Sequence, residues 1–236
     1  MSTAANPPSF DFLEIEESEA DMGIRSVLFA AGYDRLMADA EQLLLTGLRD
    51  RLLADASGDV LEIGGGTGAS LAAYTPNVRS VTVTEPDVSM LRRLKRRAET
   101  ADRPVTVLQA PAEDLPFEDN TFDTVVSSLV LCGVTDQQRA LREIRRVLRS
   151  DGRLLFMEHV RSAEPGLART QDRLNWLNRL VVGCECNRPT VTSIRDAGFT
   201  VGELGHHTMP KAPPMVRPVV VGTATCPAVT PAGDRQ

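Results

Sequence analysis

Apolar positions along this chain follow two rhythms that take turns. Over 34–56, Leu36, Leu43, Leu44, Leu48, Leu52 and Leu53 recur at helical spacing. This predicts an amphipathic helix capped by Asp34 and ended by Gly58. Short apolar runs then alternate with helical patterns. Strands are predicted at 60–63, 80–84, 105–109, 122–127 and 153–159. Helices are predicted from about Thr67, over 87–100 with Asp87 as the cap, and over 136–148, where Leu141, Ile144, Val147 and Leu148 share a face. Asp151-Gly152 reads as a turn before the fifth strand. Such alternation predicts a parallel sheet covered by helices on both faces.

After His159 the rhythm changes. A helix over 167–182 carries Trp176, a second over 189–197 is closed by Gly198, and late strands follow at 201–204 and 216–225. Residues 1–20 are polar with an acidic run, and 227–236 form a short polar tail. The chain therefore divides into a leader with lid helices (1–57), a core (58–160), a cap (161–188), a C-terminal helix with the final strands (189–226) and the tail (227–236).

Composition narrows the class. At 236 residues the chain suits one α/β domain with attached helices. The formal charge of −6 leaves no basic excess to neutralise phosphates, which argues against nucleic acid as a partner. No apolar run reaches membrane-spanning length, and the first residues lack the order of a signal peptide. Four cysteines make no disulfide framework in a chain this long, so a reduced, cytoplasmic setting is expected. Cys184-x-Cys186 has no second Cys or His pair at zinc spacing, and Cys132 and Cys226 sit in apolar contexts, so no metal is expected. Nothing in the sequence selects between monomer and dimer.

The strongest local signal is Leu61-Glu62-Ile63-Gly64-Gly65-Gly66-Thr67-Gly68. Glycines at a strand end let the backbone turn sharply and let a ligand approach without a Cβ in the way. In an open parallel sheet this places a ligand over the carboxyl edge, near the N–H groups of the following segment. Gly64-x-Gly66-x-x-Ala69, with Glu85 about twenty residues on, also satisfies the loose dinucleotide fingerprint. The loop alone therefore fits two cofactor classes.

Its surroundings carry a family resemblance. Glu62-x-Gly64-x-Gly66-x-Gly68 resembles motif I of the class I S-adenosylmethionine-dependent methyltransferases, and Glu85-Pro86-Asp87 resembles their second motif. Ala112-Glu113-Asp114-Leu115-Pro116-Phe117 resembles the third. Ser127-Ser128-Leu129 and Val147-Leu148-Arg149-x-Asp151-Gly152-x-Leu154 match the later ones. The resemblance implies a doubly wound, Rossmann-like α/β sheet of seven strands, mostly parallel with one antiparallel strand, plus N-terminal helices and a helical cap insertion. It implies S-adenosylmethionine as cofactor, held by Glu62, Gly64, Gly65, Gly66, Thr67, Gly68, Glu85, Pro86, Met90, Ala112, Glu113, Ser128 and Leu129. Glu85 would accept the ribose hydroxyls, as an acceptor-only carboxylate can. Ala112 and Glu113 would line the adenine pocket, and Ser128 and Leu129 would lie beside the methionine part. Asp114 reads as a loop residue, and Asp123 as a structural acid at the start of the fourth strand.

Methyl transfer from a sulfonium is an in-line displacement with a neutral leaving group, so positioning and desolvation dominate. A thiol needs little help from a base, whereas a phenol needs more. His159 closes the fifth strand and is the candidate to take a proton or orient the substrate. In class I enzymes with such a leader, a tyrosine equivalent to Tyr33 closes over the donor. The expected acceptor pocket comprises Tyr33, His159, Trp176, Arg188 and His206.

A narrower resemblance covers roughly 60–225. Ser128-Leu129-Val130-Leu131-Cys132-Gly133-Val134, Phe156-Met157-Glu158-His159-Val160, Gly183-Cys184, Asn187-Arg188 and Val216-Arg217-Pro218 resemble the methyltransferase-like alkyl thiol S-methyltransferases. Those enzymes carry an apolar membrane segment where this chain has an acidic leader, which implies a cytosolic relative that detoxifies a thiol or protects its host from one. The acceptor expected is a small apolar thiol. The alternatives are O-, N- or C-methylation of a small metabolite, quinone precursor or lipid head group, a non-catalytic protein that only binds the donor, and a nucleotide-dependent oxidoreductase.

Overall fold

The computed structural model describes residues 41–226. Tyr33, most of the expected leader and the tail lie outside the described residues. Seven strands form one sheet: β1 (Gly58–Ile63), β2 (Val78–Thr84), β3 (Val105–Leu108), β4 (Phe122–Ser128), β5 (Leu148–His159), β6 (Thr200–Thr208) and β7 (Pro218–Thr225). Their order is β3-β2-β1-β4-β5-β7-β6. β7 runs antiparallel to both β5 and β6, and the remaining pairs are parallel. This is the expected mostly parallel sheet with one reversed strand.

Each face of the sheet buries its own core. Neighbouring residues of a strand point to opposite faces, and β1 uses both. Val60 packs with Val81 and Val83, under Leu48 and Leu52 of helix α1 (Thr46–Leu53) and Leu91 and Leu94 of α2 (Val88–Glu99). Leu61 and Ile63 pack with Val125, under Leu141, Ile144 and Val147 of α3 (Gln137–Val147) and Ile194 of α5 (Thr190–Asp196). Truncating one of these side chains to alanine costs about 2–5 kcal/mol. The Asp87 side chain caps α2 by accepting from the Ser89 and Met90 N–H groups, and Asp136 caps α3 through the Arg139 N–H.

Several expected boundaries move. The helix expected from Thr67 is absent. The chain makes turns and one 3-10 turn, Leu71–Ala73, because Gly68 takes φ +87° and Pro76 closes a connection too short for a full helix. The helix expected over 34–56 is described from Glu41 as a π-type turn that runs into α1 and stops at Leu53. β5 starts at Leu148 instead of Arg153, and the Asp151-Gly152 turn is a bulge inside it: Phe122 pairs with Leu148, but Thr124 pairs with Arg153. β6 runs to Thr208, past the expected end at Leu204. β7 begins at Pro218 after a 3-10 turn at Pro214–Val216.

The cap contains helix α4 (Pro165–Val182), with Pro165 in its first turn and Gly183 at φ +76° closing it. The fully buried Gln171 ties α4 to the sheet edge. Its amide donates to the carbonyls of Val160, Cys186 and Met215, and its Oε1 accepts from the Ser162 N–H.

Candidate active site

The chain leaves the sheet in opposite directions after β1 and β4, which opens a crevice at the carboxyl ends of these neighbouring strands. Gly64 turns the chain out of β1 at φ +56°, and Gly66 follows at φ +55°. A Cβ on Gly64 would come within 2.7 Å of Val130, and one on Gly65 would overlap the Val83 side chain. One on Gly66 would meet nothing within 4 Å. Gly66 therefore borders open space that a ligand can fill.

That space is a cleft of about 360 Å³. Its walls include Gly64, Gly66, Glu85, Pro86, Ala112, Glu113 and Leu129, all expected from the sequence, together with Val130, Gly133 and Val134. Glu85 ends the turn after β2. Its Oε2 accepts from the Gly66 N–H at 2.8 Å and its Oε1 from the Asp87 N–H at 2.9 Å. Burial pushes its pKa above the ordinary 4.5, partly offset by those two N–H groups. Each carboxylate oxygen keeps a lone pair for a ligand hydroxyl. Glu113 Oε1 accepts from the Thr135 and Asp136 N–H groups and so fixes one wall to the start of α3. Leu129 holds φ +61°, a conformation that costs a non-glycine residue about 1–3 kcal/mol. Its N–H donates to the Met157 carbonyl at 2.7 Å.

The other residues expected at the donor lie behind this surface, where neighbours occupy their space. Glu62 is buried beneath the loop and accepts from the Tyr74 hydroxyl at 2.8 Å. Burial raises its pKa, against hydrogen bonds from Ser70 and Tyr74 and the charge of Arg49. Tyr74 is in turn pushed well above the usual phenol value by burial and by Glu62. Gly65 abuts Val83, and Gly68 sits against Leu71 and Leu94. Thr67 is buried and accepts from Arg97, and Met90 is packed into the core. Ser128 ends β4, paired with Met157, and does not line the cleft. Asp114 is exposed, and Asp123 accepts from the Asp59 N–H and pairs with Arg149, the structural part expected of it.

A larger hollow, about 690 Å³, opens at the same sheet edge. Val160, Arg161, Leu167, His206, His207, Arg217 and Val219 are among its walls. Of the expected pocket residues described, His206 lines this hollow, and three others do not. Trp176 stands on the outer side of α4 with 66% of its surface exposed. The Arg188 guanidinium is spent on the Leu131 and Val134 carbonyls, at 2.9 and 2.7 Å, and on Glu185 at 2.7 Å. His159 is buried, and its Nδ1 lies 3.4 Å from Cys184 Sγ and 3.7 Å from Cys132 Sγ. It lines neither space. Contact with Cys184 and burial push the Cys132 thiol well above its usual range, so Cys132 is no free thiolate nucleophile.

Glu158 went unread in the sequence. This fully buried carboxylate accepts from the Ser127 hydroxyl at 2.6 Å and from the Val130, Leu131 and Cys132 N–H groups, and so braces the turn that carries Leu129. An acid in an otherwise apolar strand, Leu154–Met157, was the available signal. No helix among the described residues is long and apolar enough to cross a membrane.

Comparison with known proteins bears on this arrangement. A family model described as "Methyltransferase domain" matches residues 61–156. The chain is 34% identical over 205 residues to thiol S-methyltransferase TMT1A of Homo sapiens, covering 84% of this chain and 83% of that one. It is 36% identical over 167 residues to the ubiquinone/menaquinone biosynthesis C-methyltransferase UbiE of Pasteurella multocida, covering 66% and 62%. Among solved structures, the N-methyltransferase NodS of Bradyrhizobium japonicum in complex with S-adenosyl-L-homocysteine superposes with a TM-score of 0.64 at 19% identity, covering 86% of this chain and 97% of that one. At that identity the match speaks for the fold alone.

Proposed function

The chain belongs to the class I S-adenosylmethionine-dependent methyltransferases, and on that premise we propose that it methylates the sulfur of a small thiol. S-adenosylmethionine is its cofactor, and the residues present fit it. Gly66 leaves room for close approach, Glu85 offers acceptors for two ribose hydroxyls, Ala112 and Glu113 border the adenine side, and Leu129 borders the methionine side. When bound, the cofactor supplies an electrophilic methyl group on a sulfonium.

The observation that carries the thiol reading is how far each likeness extends. The likeness to the thiol methyltransferase takes in 84% of the chain, whereas the likenesses to quinone C-methyltransferases take in 61–72%. In this reading the acceptor sits in the hollow walled by Leu167 of α4, the end of β6 and the start of β7. Apolar walls at Val160, Leu167 and Val219 suit a hydrophobic acceptor. Arg217 and the Arg161–Asp172 pair set polar groups at the rim of these apolar walls. A thiol with pKa near 8.5 supplies a few per cent thiolate at neutral pH, so these residues need only hold and desolvate it.

A panel of thiols, phenols, amines and quinols, incubated with isotopically labelled donor and read by mass spectrometry, tests the reading. The expected product is a methyl thioether. Transfer to quinol carbon, oxygen or nitrogen with no thioether would replace it.

A further inference from the structure

The sequence offered no metal site because no two of its potential ligand pairs share a zinc spacing. Folding assembles one from three separate segments. We propose that Cys132, His159 and Cys184 bind a thiophilic metal ion of the zinc class, which clasps the segment after α4 to the ends of β4 and β5. The three candidate ligand atoms lie within 4.8 Å of one another, and all three residues are buried. Zinc bonds to sulfur at 2.3 Å and to imidazole nitrogen at about 2.0–2.1 Å, so a tetrahedral site separates S from N by about 3.5 Å. His159 Nδ1 lies 3.4 Å from Cys184 Sγ and 3.7 Å from Cys132 Sγ. Both nitrogen–sulfur spacings are therefore those of a coordination shell.

The backbone holds these groups in place by other means. The Cys132 N–H donates to Glu158, and its carbonyl accepts from the Glu185 N–H at 2.7 Å. The Cys184 carbonyl accepts from the Asn178 amide at 2.5 Å, and Gly183, at φ +76°, turns the chain out of α4 just before it. His159 is the last residue of β5, paired with Val219 of β7. Its other ring nitrogen, Nε2, is buried with no hydrogen-bond partner among the described residues, so the sulfurs are the polar company the ring has there. Thiols are weak donors and weak acceptors, and this leaves a buried imidazole poorly satisfied. Two thiolates and the Nδ1 lone pair around a d10 ion satisfy the three facing atoms, with release of the thiol protons on binding, and fix the ring proton on Nε2. Cys186 lies in the same apolar cluster but outside the ligand group. The fourth coordination position is left to water or another exogenous ligand.

The test is metal content and cobalt spectroscopy on the full chain, neither of which reads methyl transfer. The chain is purified under reducing conditions, analysed for bound metal, stripped, and titrated with Co²⁺. The expected result is one equivalent bound, with thiolate-to-cobalt charge transfer in the near ultraviolet and the visible bands of tetrahedral cobalt, both displaced by Zn²⁺. Cys184→Ser and His159→Gln should weaken binding by more than about tenfold, while Cys186→Ser and Cys226→Ser should leave it unchanged. The wild-type titration stands on its own should a buried variant fail to fold. Absence of the charge-transfer band in the wild type overturns the proposal. So does loss from Cys186→Ser equal to that from Cys184→Ser, or air oxidation to a Cys132–Cys184 disulfide with no metal taken up.

Discussion

The Glu85 carboxylate accepts the Gly66 N–H at 2.8 Å, so the acid after β2 and the turn after β1 form one unit. The same side chain also holds the Asp87 N–H, next to the cap of α2. Glu85→Ala removes both the ribose acceptor and the brace on the glycine turn. Donor binding should weaken by about 1.5–3 kcal/mol, roughly 10- to 150-fold in Kd. Calorimetry with S-adenosylhomocysteine checks this, and an unchanged Kd would remove Glu85 from the donor site.

Gly65 and Gly66 should respond in opposite ways. Gly66→Ala puts a methyl group into open cleft, so its main effect should be on donor Kd, with about 1–2 kcal/mol of stability lost to the left-handed backbone. Gly65→Ala drives a methyl group into Val83 and should cost about 1–3 kcal/mol of stability through overpacking. Urea unfolding and donor titration, run on both variants, separate the two outcomes.

Glu62 sets a pH dependence with a definite sign. Its folded-state pKa lies above the ordinary 4.5, chiefly through burial. The folded state therefore holds this proton where the unfolded chain has released it. Stability is lost as pH rises from the ordinary value through the raised one. Glu62→Gln, which can still accept from the Tyr74 hydroxyl, should abolish that component. Unfolding free energies of both chains across the mildly acidic to neutral range give the comparison, and parallel curves would assign the dependence elsewhere.

The acceptor space should be separable from the donor cleft. Leu167→Trp places a bulky ring in the larger hollow, well apart in sequence from any donor-lining residue. It should raise KM for a thiol by about tenfold, near 1.4 kcal/mol, with the donor Kd unchanged. A shift in donor Kd alone would place the acceptor somewhere else.

Arg188 should matter for stability and not for acceptor recognition. Arg188→Ala takes the guanidinium from the Val134 carbonyl and one of two partners from the Leu131 carbonyl and from Glu185, which keep Gln137 and Arg179, at a cost of about 1.5–3 kcal/mol. Arg188→Lys should recover little of it, because an ammonium cannot reproduce the planar fork. Thermal unfolding, with KM as the second readout, distinguishes this from a substrate contact.

The cleft was legible because a parallel sheet gathers strand ends, and each end carries a short contiguous motif: Gly64–Gly66 after β1, Glu85 after β2, Ala112 and Glu113 beyond β3, Leu129 after β4. Adjacency in the chain therefore translated into adjacency in space. Thr67, Gly68 and Met90 share those motifs but serve packing, a difference that spacing does not encode. The larger hollow was hard to read because β7 reverses and β6 returns beside it, which brings His206 and Val219 to Leu167 across long stretches of chain. Cys132, His159 and Cys184 meet for the same reason, in a fold whose sheet order differs from its chain order. Trp176, expected in the acceptor pocket, stands outside because α4 buries Gln171 and Asn178 against the body.

The grip of Arg188 on the carbonyls of Leu131 and Val134 has a further consequence. The stretch it holds also supplies Val130, Gly133 and Val134 to the donor cleft. One side chain thus fastens the segment after α4 to a wall of that cleft. An occupant that stiffens the wall should restrain the segment after α4, and thermodynamic reciprocity then requires the reverse. Slower amide exchange around residues 183–188 on filling the donor cleft alone would be the trace of that shared hinge-pin.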